Sequence, residues 1–374
     1  MTGVLNDDRI ILDGHKLLWH RDRVEAWLRG ERVAPITVDM ALTTACTYKC
    51  IYCCGIFQEN EGFRLSRDVI YRFLDDSAEI GVKAISIISD GESTLSPHIY
   101  DTIIRGRSNG LDMSLGTNGF SLADERLEDI LSRLTYIRFN ISAASQESYM
   151  RIHGAPPEAF EKVIGTIKKA VAIKKRDNLD VTIGLQMVLM PHYGEEIIPL
   201  AELGGKLQAD YLVIKHCTDD ELGTIGVDYS QYDRLIDTLK EAENKSNSNY
   251  LVRAKWSKIL SRGQRDYAKC YGPPLALELS GTGLVAPCGL HFNSKFKEKF
   301  HIGNIAERSF KEVWQSERYW EVMAYLQSDE FDARKDCGTL CMQHKANEFL
   351  WKLKNGVKQL VTPKGPPPMH LNFI

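Results

Sequence analysis

From Pro35 to about Trp256, short apolar runs alternate with longer stretches of helical periodicity, the arrangement of βα units feeding a parallel sheet. Six runs carry the pattern, at residues 36–42, 84–89, 113–116, 138–142, 181–189 and 212–217. Between the first two the spacing predicts a helix over residues 67–80, stopped by Gly81. The fourth run alternates strictly, with Ile137, Phe139 and Ile141 on one face and Arg138, Asn140 and Ser142 on the other. In a barrel with helices packed outside, the apolar set meets the helices and the polar set faces the lumen. The fifth run reads the same way, with Ile183, Leu185 and Met187 outward and Thr182, Gly184 and Gln186 inward; Gly184 is expected to leave room for a bound group. In the sixth, Leu212 and Ile214 point outward while Val213, Lys215 and Cys217 point inward. A buried lysine is costly unless it is paired or reaches a wet pocket. Lys215 is therefore predicted to line a polar site, the alternative being a structural tie to Asp39 or another barrel carboxylate.

Before this repeat lies a lead-in of residues 1–35, with a strand-like piece at 10–12, a turn at Asp13-Gly14 and a helix over 21–29 ended by Gly30. His15 and His20 lie here without a ligand-like pattern around them and read as packing residues. After residue 256 the character changes. Two β-runs around a glycine turn, residues 277–288, predict a hairpin, and an amphipathic helix opens at 310–314. The chain thus divides into residues 1–35, 36–256, 257–346 and a helix and tail at 347–374. Three prolines at 366–368 bar a helix there, and Phe373 and Ile374 predict that the tail packs on the body.

Composition narrows the class. The 374 residues are 43% hydrophobic and 26% charged, with a net charge of −3, a balance that excludes long disorder and gives no electrostatic reason for nucleic-acid binding. No run reaches the length of a membrane span, and the first residues lack the apolar core of a signal peptide. A cytoplasmic location is expected, in which nine cysteines read as metal ligands rather than disulfides.

Those cysteines are patterned. Cys46, Cys50 and Cys53 are spaced x3 then x2, with Tyr52 directly before the third. Three thiolates on one loop can each take one iron of a [4Fe-4S] cluster, leaving one iron open; zinc and a disulfide are the competing readings. Cys270, Cys288, Cys337 and Cys341 suit a second, fully ligated [4Fe-4S] cluster, with four-cysteine zinc as its alternative and His344 as a weaker ligand. Cys54 and Cys217 remain unassigned.

The first spacing resembles the signature of the radical S-adenosylmethionine (SAM) superfamily. The resemblance implies a partial (β/α)6 TIM-like barrel and an open iron that chelates SAM. It also implies reductive cleavage of SAM to a 5'-deoxyadenosyl radical. It implies SAM contacts at Tyr52, at Gly91 and Glu92, at Asn118, at Ser142 and at Gln186. The family's second strand ends Gly-Gly-Glu-Pro, whereas here Asp90 and Ser93 replace the outer two residues, leaving Asp90 without a role. Gly-x4-Cys288, Gly303-Asn304-Ile305 and Trp314 resemble the C-terminal SPASM/twitch extension, a small α+β domain. The missing further cysteines favour the twitch form with one auxiliary cluster. An electron donor such as flavodoxin or ferredoxin is implied as a partner.

The polar lumen, with Arg138, Asn140 and Lys215 as substrate candidates, suits a sugar, aminocyclitol or similar small molecule. Epimerisation, with Cys217 (rival Cys54) as hydrogen-atom donor and Lys215 as a second catalytic candidate, or dehydrogenation would follow. A peptide maturase is the second reading, opposed by a lead-in too short for a peptide-binding domain. A non-catalytic iron–sulfur carrier is the third, and it would not need the SAM positions.

Overall fold

A computed structural model describes residues 9–59, 61–339 and 341–374. Its ten strands are β1 (Thr37–Met40), β2 (Ala84–Ile87), β3 (Asp112–Thr117), β4 (Leu134–Asn140), β5 (Thr182–Leu189), β6 (Tyr211–His216), β7 (Leu251–Ala254), β8 (Ala276–Leu279), β9 (Leu284–Ala286) and β10 (Gly303–Asn304). They form one sheet in the order β10-β9-β8-β1-β2-β3-β4-β5-β6-β7. All pairs from β8 through β1 to β7 are parallel, and the β8–β9–β10 pairs are antiparallel. Six βα runs were expected; β7 adds a seventh parallel strand, too short and too mixed in character to stand out. The expected hairpin is β8–β9, and β8 docks on β1, so the sheet runs unbroken from the barrel into the cysteine-bearing C-terminal part.

The sheet is open yet curled. Asp39 on β1 feels both Arg138 on β4 and Lys215 on β6, and on a flat sheet five strand spacings would hold Asp39 and Lys215 about 24 Å apart. The two faces sort as the alternation predicts. Leu212, Ile214, Val252 and Ala254 belong to the main core with the outer helices, while Tyr211, Val213 and Leu251 make a separate cluster with Ile10 on the concave side. The outer helices show their local causes. In Arg67–Ile80, Ser66 caps the first turn, Gly81 ends it at φ +93°, and Ile70, Phe73, Leu74 and Ser77 form the buried stripe.

The N-terminal ends of the strands are plugged. The residues around Ile10 form no strand, unlike the expectation; Ile10 is fully buried against Tyr211, Val213 and Leu251. The tail closes the same end. Thr37 Oγ1 donates to Asn372 O (2.6 Å), Asn372 Nδ2 donates to Asp112 (2.7 Å) and Met369 N donates to Arg9 O (2.8 Å). His370 bonds Thr182 Oγ1 at 2.7 Å and lies on Tyr136 and near Tyr211. The tail therefore packs on the body as predicted, and access to the concavity is left to the C-terminal ends of the strands, where α/β folds carry their chemistry.

One expectation fails here for a steric reason. The space over Gly184 is filled by the Tyr211 ring, into which an added Cβ would drive; the glycine admits a phenol, not a ligand. Gly184→Ala is expected to destabilise the protein by about 1–3 kcal/mol in chemical denaturation, and the penalty should vanish in a Tyr211→Ala background. An equal penalty in both backgrounds would show that the ring is not the constraint.

Candidate active site and auxiliary cysteine pocket

The loop after β1 carries Cys46, Cys50 and Cys53, and its backbone is held from three sides. Its entrance, residues 43–45, lies so close to Gly91 and Gly281 that a Cβ on either would strike the loop backbone. Glu92 N donates to Ala45 O at 2.8 Å. From the third side comes the end of helix Gln146–His153, whose carbonyls at Ile152 and His153 accept from Ile51 N and Lys49 N, both at 3.1 Å. Gly154, at φ +54°, passes against Lys49 O.

Each sulfur of the triad receives an N–H. Tyr48 N points to Cys46 Sγ (3.5 Å), Gly55 N to Cys53 Sγ (3.3 Å) and the His153 ring to Cys50 Sγ (3.5 Å). His153 is buried, and burial holds its pKa down at about 3. Ser142 N donates to its Nε2 at 2.9 Å, so the proton of the neutral ring sits on Nδ1, between Cys50 Sγ and the Tyr52 hydroxyl (3.2 Å). Burial raises the Cys46 thiol to about 11, with the neighbouring carboxylate and Cys53 adding to the rise. Three sulfurs supplied with donors yet costly to ionise alone fit a cationic iron cluster as their counter-charge. His153 was not singled out from sequence, because only its contact with Ser142 and Cys50 across the fold distinguishes it.

Glu92 is placed as a clasp. Its Oε1 accepts from Thr94 N (3.2 Å), Thr94 Oγ1 (2.7 Å) and Thr117 Oγ1 (2.7 Å), and its Oε2 accepts from Asn118 N (2.7 Å). One lone-pair direction, on Oε2, remains for a ligand. Asn118 carries the clasp onward, with Nδ2 donating to Thr47 Oγ1 at 3.3 Å. Asp90, left without a role by its departure from the family pattern, accepts from Ser280 Oγ (2.6 Å) and Gly281 N (2.9 Å) and so ties the end of β2 to the β8–β9 turn. Ser93 Oγ accepts from Leu42 N at 3.1 Å.

Farther round the concave face, Ser142 Oγ accepts from Val188 N (3.1 Å), and Gln186 Nε2 donates to Asn140 Oδ1 (2.8 Å). Arg138 and Lys215 are half-buried. Burial, then Arg138 and Lys258, pulls the Lys215 ammonium down to about 8. Asp39 is pushed up to about 6 by burial, against the pull of Arg138 and Lys215, and no direct ion pair joins it to Lys215 among the described residues. Glu278 on β8, overlooked in the hairpin reading, faces Asp39 across the pairing and is raised to about 8 by burial and by that neighbour. Asp219 and Asp220 fold their own loop, accepting from the backbone N–H groups of residues 220 and 225–227 and of 222 and 224.

Cys217 is fully buried, and its Sγ meets Tyr52 O and Thr218 O, each at 3.6 Å. Cys54 Sγ reaches the same Thr218 carbonyl at 3.7 Å, so both unassigned thiols converge beside the triad loop.

The four later cysteines line one cavity together with Leu326, Phe331 and Asn347. Asn347 Nδ2 points to Cys341 Sγ (3.3 Å) and Cys270 Sγ (3.7 Å), the Arg265 guanidinium bonds Cys337, and the Leu290 N–H faces Cys288. Asn347 also accepts from Tyr271 N and Gly272 N, which fixes the turn after Cys270. The His344 Nδ1 is engaged by Tyr267 OH at 3.1 Å. Four sulfurs each met by a donor around an apolar cavity fit a protein-bound cluster.

Residues 40–203 match the radical SAM superfamily and residues 270–342 match an iron–sulfur cluster-binding (SPASM) domain. The chain belongs to the radical SAM superfamily and carries a SPASM domain. A radical SAM domain binds SAM on a [4Fe-4S] cluster, and a SPASM domain binds auxiliary iron–sulfur. The chain is 25% identical over 326 residues to an AdoMet-dependent heme synthase of Methanosarcina barkeri, covering 82% of this chain and 88% of the relative. It is 27% identical over 218 residues to a probable GTP 3',8-cyclase of Saccharolobus solfataricus, covering 58% and 67%. Streptococcus suis SuiB bound to SAM shares the fold with a TM-score of 0.63 at 17% identity, covering 83% of this chain and 72% of that one. The AdoMet-bound anSMEcpe does so at 0.56 and 15%, covering 86% and 98%. Among the described residues no helix is long and apolar enough to cross a membrane.

Glu92→Ala is expected to weaken SAM binding by about 1.5–3 kcal/mol, since it frees both the Oε2 acceptor and the Asn118 turn. Glu92→Gln, which keeps an acceptor on Oε1, should lose less. SAM titration of reconstituted protein checks this, and unchanged affinity in the alanine variant would remove Glu92 from the site.

Proposed function

We propose that this radical SAM enzyme abstracts a hydrogen atom from a polar small molecule held in the lumen and that Cys217 returns one from the opposite face, giving epimerisation. Cys46, Cys50 and Cys53 hold the SAM-binding cluster, while Cys270, Cys288, Cys337 and Cys341 hold the auxiliary one. When bound, these groups supply a 5'-deoxyadenosyl radical and a store for single electrons.

The chain's own residues do the rest. Tyr52, Gly91, Glu92, Asn118, Ser142 and Gln186 ring the mouth and orient SAM. Arg138, Asn140 and Lys215 hold the substrate on the same concave face. The plug beneath, from Tyr211 to His370, excludes water from the far end. The observation that carries the reading is the contact of the Cys217 thiol with the Tyr52 carbonyl at 3.6 Å, which puts an S–H bond beside the triad loop. Transfer of that hydrogen breaks S–H and forms substrate C–H, and the sulfur radical left behind needs one electron and one proton to regain its thiol. The heme synthase and GTP cyclase names support a small-molecule substrate. A flavodoxin or ferredoxin would be the reductant. Dehydrogenation is the outcome if the substrate radical instead gives up an electron.

Anaerobically prepared protein should hold about eight irons as two [4Fe-4S] clusters. Replacing Cys46, Cys50 and Cys53 together by alanine should leave about four and abolish SAM cleavage. Retained cleavage would end the assignment.

Turnover in deuterated water should place one deuterium at the inverted carbon, and Cys217→Ala should cleave SAM yet give no epimer. A product two hydrogens poorer than substrate, formed without Cys217, would establish dehydrogenation.

A further inference from the structure

The lumen holds a set of cations that the proposed chemistry does not by itself require. Arg138 lies on β4, Lys215 on β6, and Lys255 directly follows β7, where its N–H still pairs with Ile214 O at 2.8 Å. The register puts all three on the concave face: Arg138 is level with Gly184 and hence Tyr211, while Val213 is level with Arg253, so Lys215 and Lys255 continue the same inward series. Tyr211, Val213 and Leu251 pack on Ile10 in that concavity, which fixes the direction of the series independently.

Among the described residues none of the three is paired directly with a carboxylate. Among the described residues neither lysine ammonium makes a hydrogen bond or an ion pair, and Arg138 Nε is buried with nothing to donate to, its guanidinium lying over the Tyr136 ring at 5.8 Å. Elsewhere comparably sheltered cations are paired, Lys174 of the helix Ala159–Arg176 with Asp210 at 2.6 Å and Arg253 of β7 with Glu243 at 3.1 Å. The carboxylates in view, Asp39 and Glu278, sit on β1 and β8, the opposite wall. Burial raises both toward their neutral forms, against the pull of Arg138 and Lys215 on Asp39 and of Lys215 on Glu278, and among the described residues neither makes an ion pair with the cations. Burial, then Lys258, Lys215 and Arg138, depress the protonation of Lys255, and Asp13, whose carboxylate is bonded to Ser257, opposes them. Positive charge clustered on one concave face, with no carboxylate bonded directly to it, is stabilised by an added anion.

We propose that Arg138, Lys215 and Lys255 form a binding site for an anionic oxyacid group of the substrate, a carboxylate or a phosphate. The inference rests on the lumen being the substrate site and narrows the substrate class from polar to anionic. The geometry gives the two walls different work: the cations take the acid group, while Asp39 and Glu278, on the far wall, are free to bond hydroxyl or amine groups of the same molecule.

The test is isothermal titration of the anaerobic, cluster-loaded, SAM-bound protein with citrate and, separately, with inorganic phosphate. One of them should bind, and Lys255→Met or Arg138→Met should weaken it by about tenfold or more, while Lys255→Arg retains it. Preference for citrate identifies a carboxylate and preference for phosphate a phosphoryl group. Should the methionine variants fail to fold, acylation of the wild-type protein decides instead: the bound anion should protect Lys215 and Lys255 but not the surface Lys168. Binding of neither anion while SAM cleavage is intact, or binding indifferent to these residues, overturns the anion site and leaves the lumen reading standing. Absence of SAM cleavage in the wild-type protein would defeat the proposed function instead.

Discussion

Three backbones meet where no side chain fits. Residues 43–45, Gly91 and Gly281 approach so closely that a Cβ at either glycine would enter the loop that leads to Cys46. This contact joins the start of the cysteine loop, the end of β2 and the turn between β8 and β9. The Asp90 carboxylate bridges the same junction through Ser280 and Gly281. Since β8 also pairs along β1, the auxiliary pocket is built as an extension of the barrel sheet. Its distance from the triad loop is then fixed by backbone contacts, which is the property an electron path between two centres requires.

The same economy governs the two ends of the concavity. At the N-terminal ends of the strands, Tyr136, Tyr211, His370 and Phe373 fill the space with rings, and backbone carbonyls of the tail accept from Thr37 and Lys16. At the other end, backbone and short polar side chains converge on sulfur. An apolar, sealed floor beneath a polar chamber keeps fixed charges such as Arg138 and Lys215 out of bulk solvent, where their interaction with a ligand would be screened. His153 links the layers: Ser142 on the barrel side fixes its tautomer, and its remaining N–H faces Cys50 and Tyr52.

Much of this was legible in the chain itself. Alternation in residues 137–142 and 212–217 sorted inner from outer side chains correctly, because a strand has a period of two whatever it packs against. Cysteine spacing marked two candidate ligand sets, the first compact because its three members share one loop. The chain could not announce what arrives from far away. Gly184 reads as open space until Tyr211 is seen to occupy it. Glu278 reads as one side of a hairpin until β8 is set beside β1 and Asp39. Asp90 reads as a departure until Ser280 lies opposite.

The parallel α/β architecture, the cysteine sets and the polar face of the concavity can thus be read from local period and spacing. The folded chain sets which polar groups are partnered. Among the described residues it leaves Arg138, Lys215 and Lys255 without a directly paired carboxylate, while Asp90 and Asp219 accept several hydrogen bonds and Glu92 keeps one acceptor direction open. The physical reason is that whether a buried charge is compensated depends on atoms brought within a few ångströms by curling of the sheet, and the separation in sequence between Asp39, Arg138, Lys215 and Glu278 carries no trace of that curvature.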